Sequence, residues 1–141
     1  MAEWWHTYLE AWNAHDGAAV AAYMAEGATY EDLTLHEKHV GVADIAAFVN
    51  GMAPAFSSDY RFETTSFQQS GDSYAAEWRL TGTHDGTEGP MPPTGKQFDI
   101  PGVSVGRLEG GKIKQNRDYW DMATFLGQIG MMPAPEGAGA G

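Results

Sequence analysis

The sequence predicts an α+β fold in which N-terminal helices wrap a curved, mostly antiparallel sheet into a cone-shaped pocket, an α+β barrel. Two observations carry the class. In the first third, apolar residues recur at helical spacing, as do Trp5, Tyr8, Leu9 and Trp12 of "EWWHTYLEAWNAHD". From residue 59 the period changes to two, in four segments set apart by the turn signals "SGD", "DGTEGPMPPTG" and "EGG". A third observation concerns shape: 12% of residues are aromatic, enough to fill a core or line a pocket. If the sheet curves, its inner face and the helices enclose a cavity suited to a small molecule.

In chain order, "EWWHTYLEAWNAHD" is the first predicted helix, with His6 and His15 as ordinary helix residues. Asp16 is placed to cap a second helix, "GAAVAAYMAEG", which Gly27 closes. "ATYEDL" reads as extended and puts Tyr30 and Asp32 on one face. "GVADIAAFVNGMAPAF" reads as a third helix ending before Pro54. The strands follow: "DYRFETTSFQQ", "SYAAEWRLTGTH", "KQFDIPGVSVGRL" and "KIKQNRDYWD". The second is the clearest, with Tyr74, Ala76, Trp78, Leu80, Gly82 and His84 on an inward face and Glu77, Arg79, Thr81 and Thr83 opposite. A short helix, "MATFLGQIG", follows. Residues 1–132 are expected to form one domain, and 133–141 a flexible tail.

Composition narrows the function. A net charge of −11 argues against nucleic acid or an anionic membrane as partner. No cysteine is present, so disulfides and thiolate chemistry are excluded. No apolar run approaches spanning length and no leader pattern opens the chain, which makes a soluble cytoplasmic protein the expectation. No glycine-rich phosphate loop or nucleophile elbow occurs, and "PPTGK" lacks the Walker spacing. His36, Glu37 and His39 form no recognised ligand spacing, so no metal and no cofactor are expected.

The candidate chemistry lies in "NRDYWD", residues 116–121. Alternation puts Asn116, Asp118 and Trp120 on one face of the last strand and Arg117, Tyr119 and Asp121 on the other, and neither face is cleanly apolar. Asp121, just ahead of the final helix, suits an N-cap. Asp118 is a surface acid, a partner for Arg117 or Arg79, or an inward base whose pKa burial raises toward neutrality. On the second reading Trp120 keeps it dry. His84 is either a hydrogen-bonded structural histidine or a group that polarises a carbonyl near the mouth. Tyr30 offers a hydroxyl to a substrate oxygen or satisfies itself in the core, and Asp32 is the alternative acid.

Taken together, "YLEAWNAHDGAAVAAYMAEGATYED", "GVADIAAFV", "TGTHDG", "PPTGK", "EGGKI" and "RDYWDMATFLGQIG" resemble the nuclear transport factor 2-like superfamily, in its SnoaL-like polyketide cyclase branch, over about residues 4–130. The resemblance implies a helix-wrapped cone and cofactor-free acid–base chemistry by an acid on the last strand, which falls at Asp118 and turns that face inward. It also implies a homodimer through the outer sheet face, to which Glu77, Arg79, Thr81 and Thr83 would contribute. "TYEDL" is similar to the Tyr-x-Asn of limonene-epoxide hydrolases, with Asp32 in place of the asparagine. The Asp–Arg–Asp set of those enzymes is incomplete here, because Trp78 and Leu80 take the inward positions and Arg79 faces away.

The expected function is a cofactor-independent cyclase or isomerase acting, in aldol fashion, on an apolar carbonyl compound such as a polyketide. Asp118 would move the proton, and Tyr30, His84 or Asn116 would bond the enolate oxygen. Trp12, Phe48, Phe56, Trp78, Ile100 and Trp120 would form the wall. Epoxide opening by Asp118 and Asp32, and ligand binding without chemistry, are the alternatives.

Overall fold

The structure is a computed structural model and describes residues 2–133. Four helices pack on one face of a six-stranded sheet, in the order α1 (Glu3–Asn13), α2 (Gly17–Ala21), β1 (Met24–Asp32), β2 (Glu37–Val40), α3 (Val42–Ala55), β3 (Arg61–Ser70), β4 (Ser73–Thr83), β5 (Gln97–Glu109), β6 (Lys112–Trp120) and α4 (Met122–Gln128). The strand order is β2-β1-β6-β5-β4-β3, and the sheet does not close on itself. Among the described residues only β1 and β6 run parallel, and the other four pairings are antiparallel. The α+β class and the mostly antiparallel sheet stand. The barrel is an open one, completed by helices.

α1 buries Trp5, Tyr8, Leu9 and Trp12, the face its spacing predicts, against the sheet. It stops three residues before the expected end: the chain turns at His15 (φ 57°), whose Nε2 bonds the Tyr60 carbonyl at 2.8 Å. Asp16 does cap α2, accepting from Ala19 N–H at 3.1 Å. α2 is much shorter than predicted, because Met24–Asp32 is strand. Gly27 does not close a helix. It takes φ 71° inside β1, where the register with β6 shifts between Met24 and Thr29. Lys114 faces this irregularity and donates to the Glu26 carbonyl at 2.7 Å.

Two further expectations need correction. α3 continues through Pro54 to Ala55, since a proline in the last turn forfeits only one bond before the helix ends anyway. The short β2 was not foreseen. It pairs with the "ATYEDL" strand and places His39 beside Tyr30. The expected tail lies, except for Pro133, outside the described residues. Among the described residues, no helix is long and apolar enough to cross a membrane.

Candidate active site

Strand register gathers the polar groups. β1 sets Tyr30 beside Asn116 and Asp32 beside Asp118, and β5 sets Ser104 beside Asp118 from the other side. The inner face of the sheet, α3 and α4 enclose a cavity of about 400 Å³. Trp12, Phe48, Phe56, Phe62, Trp78, Leu80, Trp120 and Phe125 supply most of its wall, with Met52, Met91 and Met122 among them. Leu35, Glu37 and Pro90 are exposed and mark its rim. Tyr30, Asp32, His84 and Asp118 all face it.

Asp118 is buried, 7% exposed, and accepts three hydrogen bonds. Tyr30 Oη donates to Oδ2. Ser104 Oγ and Asn116 Nδ2 donate to Oδ1 at 2.6 and 2.8 Å. Burial pushes the carboxyl up to about 6, aided by the neighbouring charge of Asp32, while the three donors hold it back. Burial and the Asp118 charge drive the Tyr30 hydroxyl far above its usual range, so it remains a donor throughout the working pH range.

Asp32 has a different task. Its carboxylate accepts from the Trp120 indole N–H at 3.0 Å (Oδ2) and from Leu35 N–H at 2.9 Å (Oδ1). It ties the turn after β1 to the end of β6, where Thr34 Oγ1 also donates to the Trp120 carbonyl at 2.8 Å. Trp120 therefore walls the cavity beside Asp118 and is fixed by the second acid.

His84 lies just past the end of β4, 1% exposed and edge-on to Phe56 and Phe125. Thr94 N–H donates to its Nδ1 at 3.3 Å and Thr94 Oγ1 lies 3.0 Å from the same nitrogen; a neutral ring that accepts there carries its proton on Nε2. Burial pushes the imidazole below its usual range, and the nearby Asp85 only partly opposes this. His84 also anchors the strap 85–95 through its main chain, accepting from Gly95 N–H at 2.8 Å. Pro90 and Met91 of that strap cover the cavity.

Two expected contact residues do not reach the cavity. Ile100 is completely buried in the core. Asn116 stands behind Asp118, its amide spent on Asp118 and on Tyr74 Oη, which donates to Oδ1 at 2.5 Å. Asp121 is the α4 cap, accepting from Thr124 N–H at 2.9 Å. Arg79 lies on the outer face and pairs with Asp99 at 2.8 Å, so the hydrolase-type set stays incomplete. Reading the sequence missed Ser104. Its signal was the run "GVSVG", residues 102–106, whose three inward positions all hold small residues.

Residues 2–129 match the family described as SnoaL-like polyketide cyclase. The aklanonic acid methyl ester cyclase DnrD of Streptomyces peucetius is 33% identical over 98 residues, 69% of this chain and 68% of that protein. The nogalonic acid methyl ester cyclase of Streptomyces nogalater is 33% identical over 95 residues, 67% of this chain and 71% of that protein. A protein of ketosteroid isomerase-like fold from Catenulispora acidiphila superposes with a TM-score of 0.81 at 20% identity, covering 94% of this chain and 95% of that one. A nuclear transport factor 2-like protein of unknown function from Burkholderia pseudomallei gives 0.73 at 20% identity, over 88% of this chain and 92% of that one. These two likenesses concern the fold.

Proposed function

The chain belongs to the SnoaL-like polyketide cyclase family, and from that premise we propose that it closes a ring in an apolar, carbonyl-bearing polyketide by an intramolecular aldol reaction. The observation that carries the proposal is Asp118, a buried carboxyl titrating near 6 at the floor of an aromatic cavity. Such a group is ionised at neutral pH, yet basic enough to take a proton activated by a neighbouring carbonyl.

Oδ1 already accepts two hydrogen bonds, and Oδ2 accepts one. The lone pair left on Oδ2 is therefore the one that takes the proton alpha to the substrate carbonyl. The resulting enolate carbon attacks a second carbonyl of the same molecule and forms the ring bond. The alkoxide so produced recovers the proton from Asp118, and no electron is gained or lost overall. Nε2–H of the neutral His84 donates to the oxygen on which charge develops, and Tyr30 Oη, released from Oδ2 once Asp118 holds the proton, turns its single O–H to the same oxygens. The aromatic wall holds the chain folded and excludes water.

The test uses a polyketide methyl ester of the kind its two relatives are named for, incubated in deuterium oxide. Wild-type protein exchanges the alpha proton and cyclises the ester, and Asp118→Asn does neither. Cyclisation by Asp118→Asn near the wild-type rate removes Asp118 from the reaction. Tight binding with no exchange by the wild type favours a ligand carrier instead. A homodimer through the outer sheet face, where Tyr119 is 44% exposed, belongs to the same proposal, and sedimentation tests it.

A further inference from the structure

Two buried side chains reach Asp118 through one intermediate hydrogen-bonding residue each. Trp78 Nε1–H donates to Ser104 Oγ at 3.0 Å, and Ser104 Oγ donates to Asp118 Oδ1 at 2.6 Å. An indole N–H can only donate, so it occupies a lone pair of the serine and leaves the hydroxyl proton for the aspartate. On the other side, Tyr74 Oη donates to Asn116 Oδ1 at 2.5 Å, and Asn116 Nδ2 donates to Asp118 Oδ1 at 2.8 Å. An ionised carboxylate accepts only, so the amide must turn its NH₂ toward Asp118, and the tyrosine hydroxyl satisfies the oxygen left facing away.

The backbone makes room for both relays. Gly102 lies opposite Trp78, and Gly106 lies opposite Tyr74. A Cβ at Gly102 would collide with the Trp78 ring, and one at Gly106 with the Tyr74 hydroxyl. β5 therefore presents a floor of glycine, serine and glycine across which the two aromatic side chains lie.

We propose that Trp78 and Tyr74 are positioning residues for the reaction, acting through Ser104 and Asn116 to saturate Asp118 Oδ1 and leave Oδ2 as the oxygen that carries the proton. This rests on the acid–base reading of Asp118 given above. Polarising each intermediate donor strengthens its bond to the ionised carboxylate, so both relays favour the charged form. The titratable groups around Asp118 are Tyr8 from α1, Tyr30 and Asp32 from β1, and Tyr74 from β4. Tyr8, Tyr30 and Tyr74 stay protonated at neutral pH, because burial raises each far above its usual range.

The experiment follows the Asp118 carboxyl by carbon-13 NMR titration, together with the pH profile of kcat/KM on the polyketide ester. Tyr74→Phe keeps the ring and deletes one oxygen, Trp78→Phe keeps a ring and deletes the N–H, and Ser104→Ala removes a direct donor. The expected result is an upward move of the Asp118 midpoint, by about one unit in Ser104→Ala and about half a unit in the other two. The acidic limb of kcat/KM moves with it. A midpoint unmoved in Tyr74→Phe and Trp78→Phe overturns this inference alone and leaves Asp118 as the base. A midpoint that moves while the activity limb stays put overturns both readings.

Discussion

The two ends of the cavity are built on opposite terms. At the Asp118 end a carboxyl sits among donors, and its ionised form is held against the pull of burial. At the His84 end an imidazole sits among Phe56 and Phe125 with Thr94 fixing its tautomer, and burial keeps it neutral. The folded state binds the Asp118 proton more tightly than the unfolded chain does, so ionising Asp118 lowers stability as pH rises through the window from about 4 to about 6. The folded state binds the His84 proton less tightly, so stability is lost at that end as pH falls below the usual histidine range. Burial thus raises the proton affinity of the first group and lowers that of the second. On the proposed mechanism, proton transfer belongs to the first end, and donation of a neutral N–H to the second.

The sharpest way to break this comparison is Asp118→Asn. Turnover should fall by about 10²- to 10⁴-fold, the usual worth of a general acid–base group. At the same time the melting temperature at pH 8 should rise, because holding the charge in place costs about 3 kcal/mol. A lower melting temperature would show that Asp118 is a structural acid. Tyr30→Phe should reduce kcat by about 10²-fold through loss of one donor, with little change in KM. His84→Phe should cost about tenfold in kcat for the lost N–H, roughly one power of ten per 1.4 kcal/mol, and should abolish the acid-induced loss of stability expected of the wild type. If that loss persists in the variant, the strap is held by something other than a neutral imidazole. The smallest effect should come from Asp121→Ala, which removes a cap worth about 1 kcal/mol and leaves kcat unchanged.

Local patterning made most of the fold readable. The apolar face of α1, the Asp16 and Asp121 caps and the alternation of β4 all follow from adjacent residues, and the structure keeps each of them. What escaped reading depends on partners far along the chain. The last strand looked ambiguous because its register with β5 shifts between Arg107 and Leu108. Ile113 is thus inward from an odd position, and Asn116 and Asp118 from even ones. No uniform alternation describes such a strand, and a family resemblance was needed to orient it. The same irregularity, paired with Gly27, turned the end of a predicted helix into strand. Within the site, Tyr30, His84 and Asp118 were legible as isolated chemical groups. Ser104 was not, because a serine between two valines acquires meaning only when strand pairing sets it beside Asp118.

The glycine–serine–glycine floor of β5 also has a consequence for how this protein can diversify. A side chain at Gly102 or Gly106 would displace Trp78 or Tyr74, so these two positions cannot grow without disturbing the hydrogen bonds that lead to Asp118. Novelty in the molecule accepted must therefore enter from above, through pliable methionines and the exposed lip at Leu35 and Pro90. Chemistry and selectivity become separately mutable traits, the first frozen and the second free to drift.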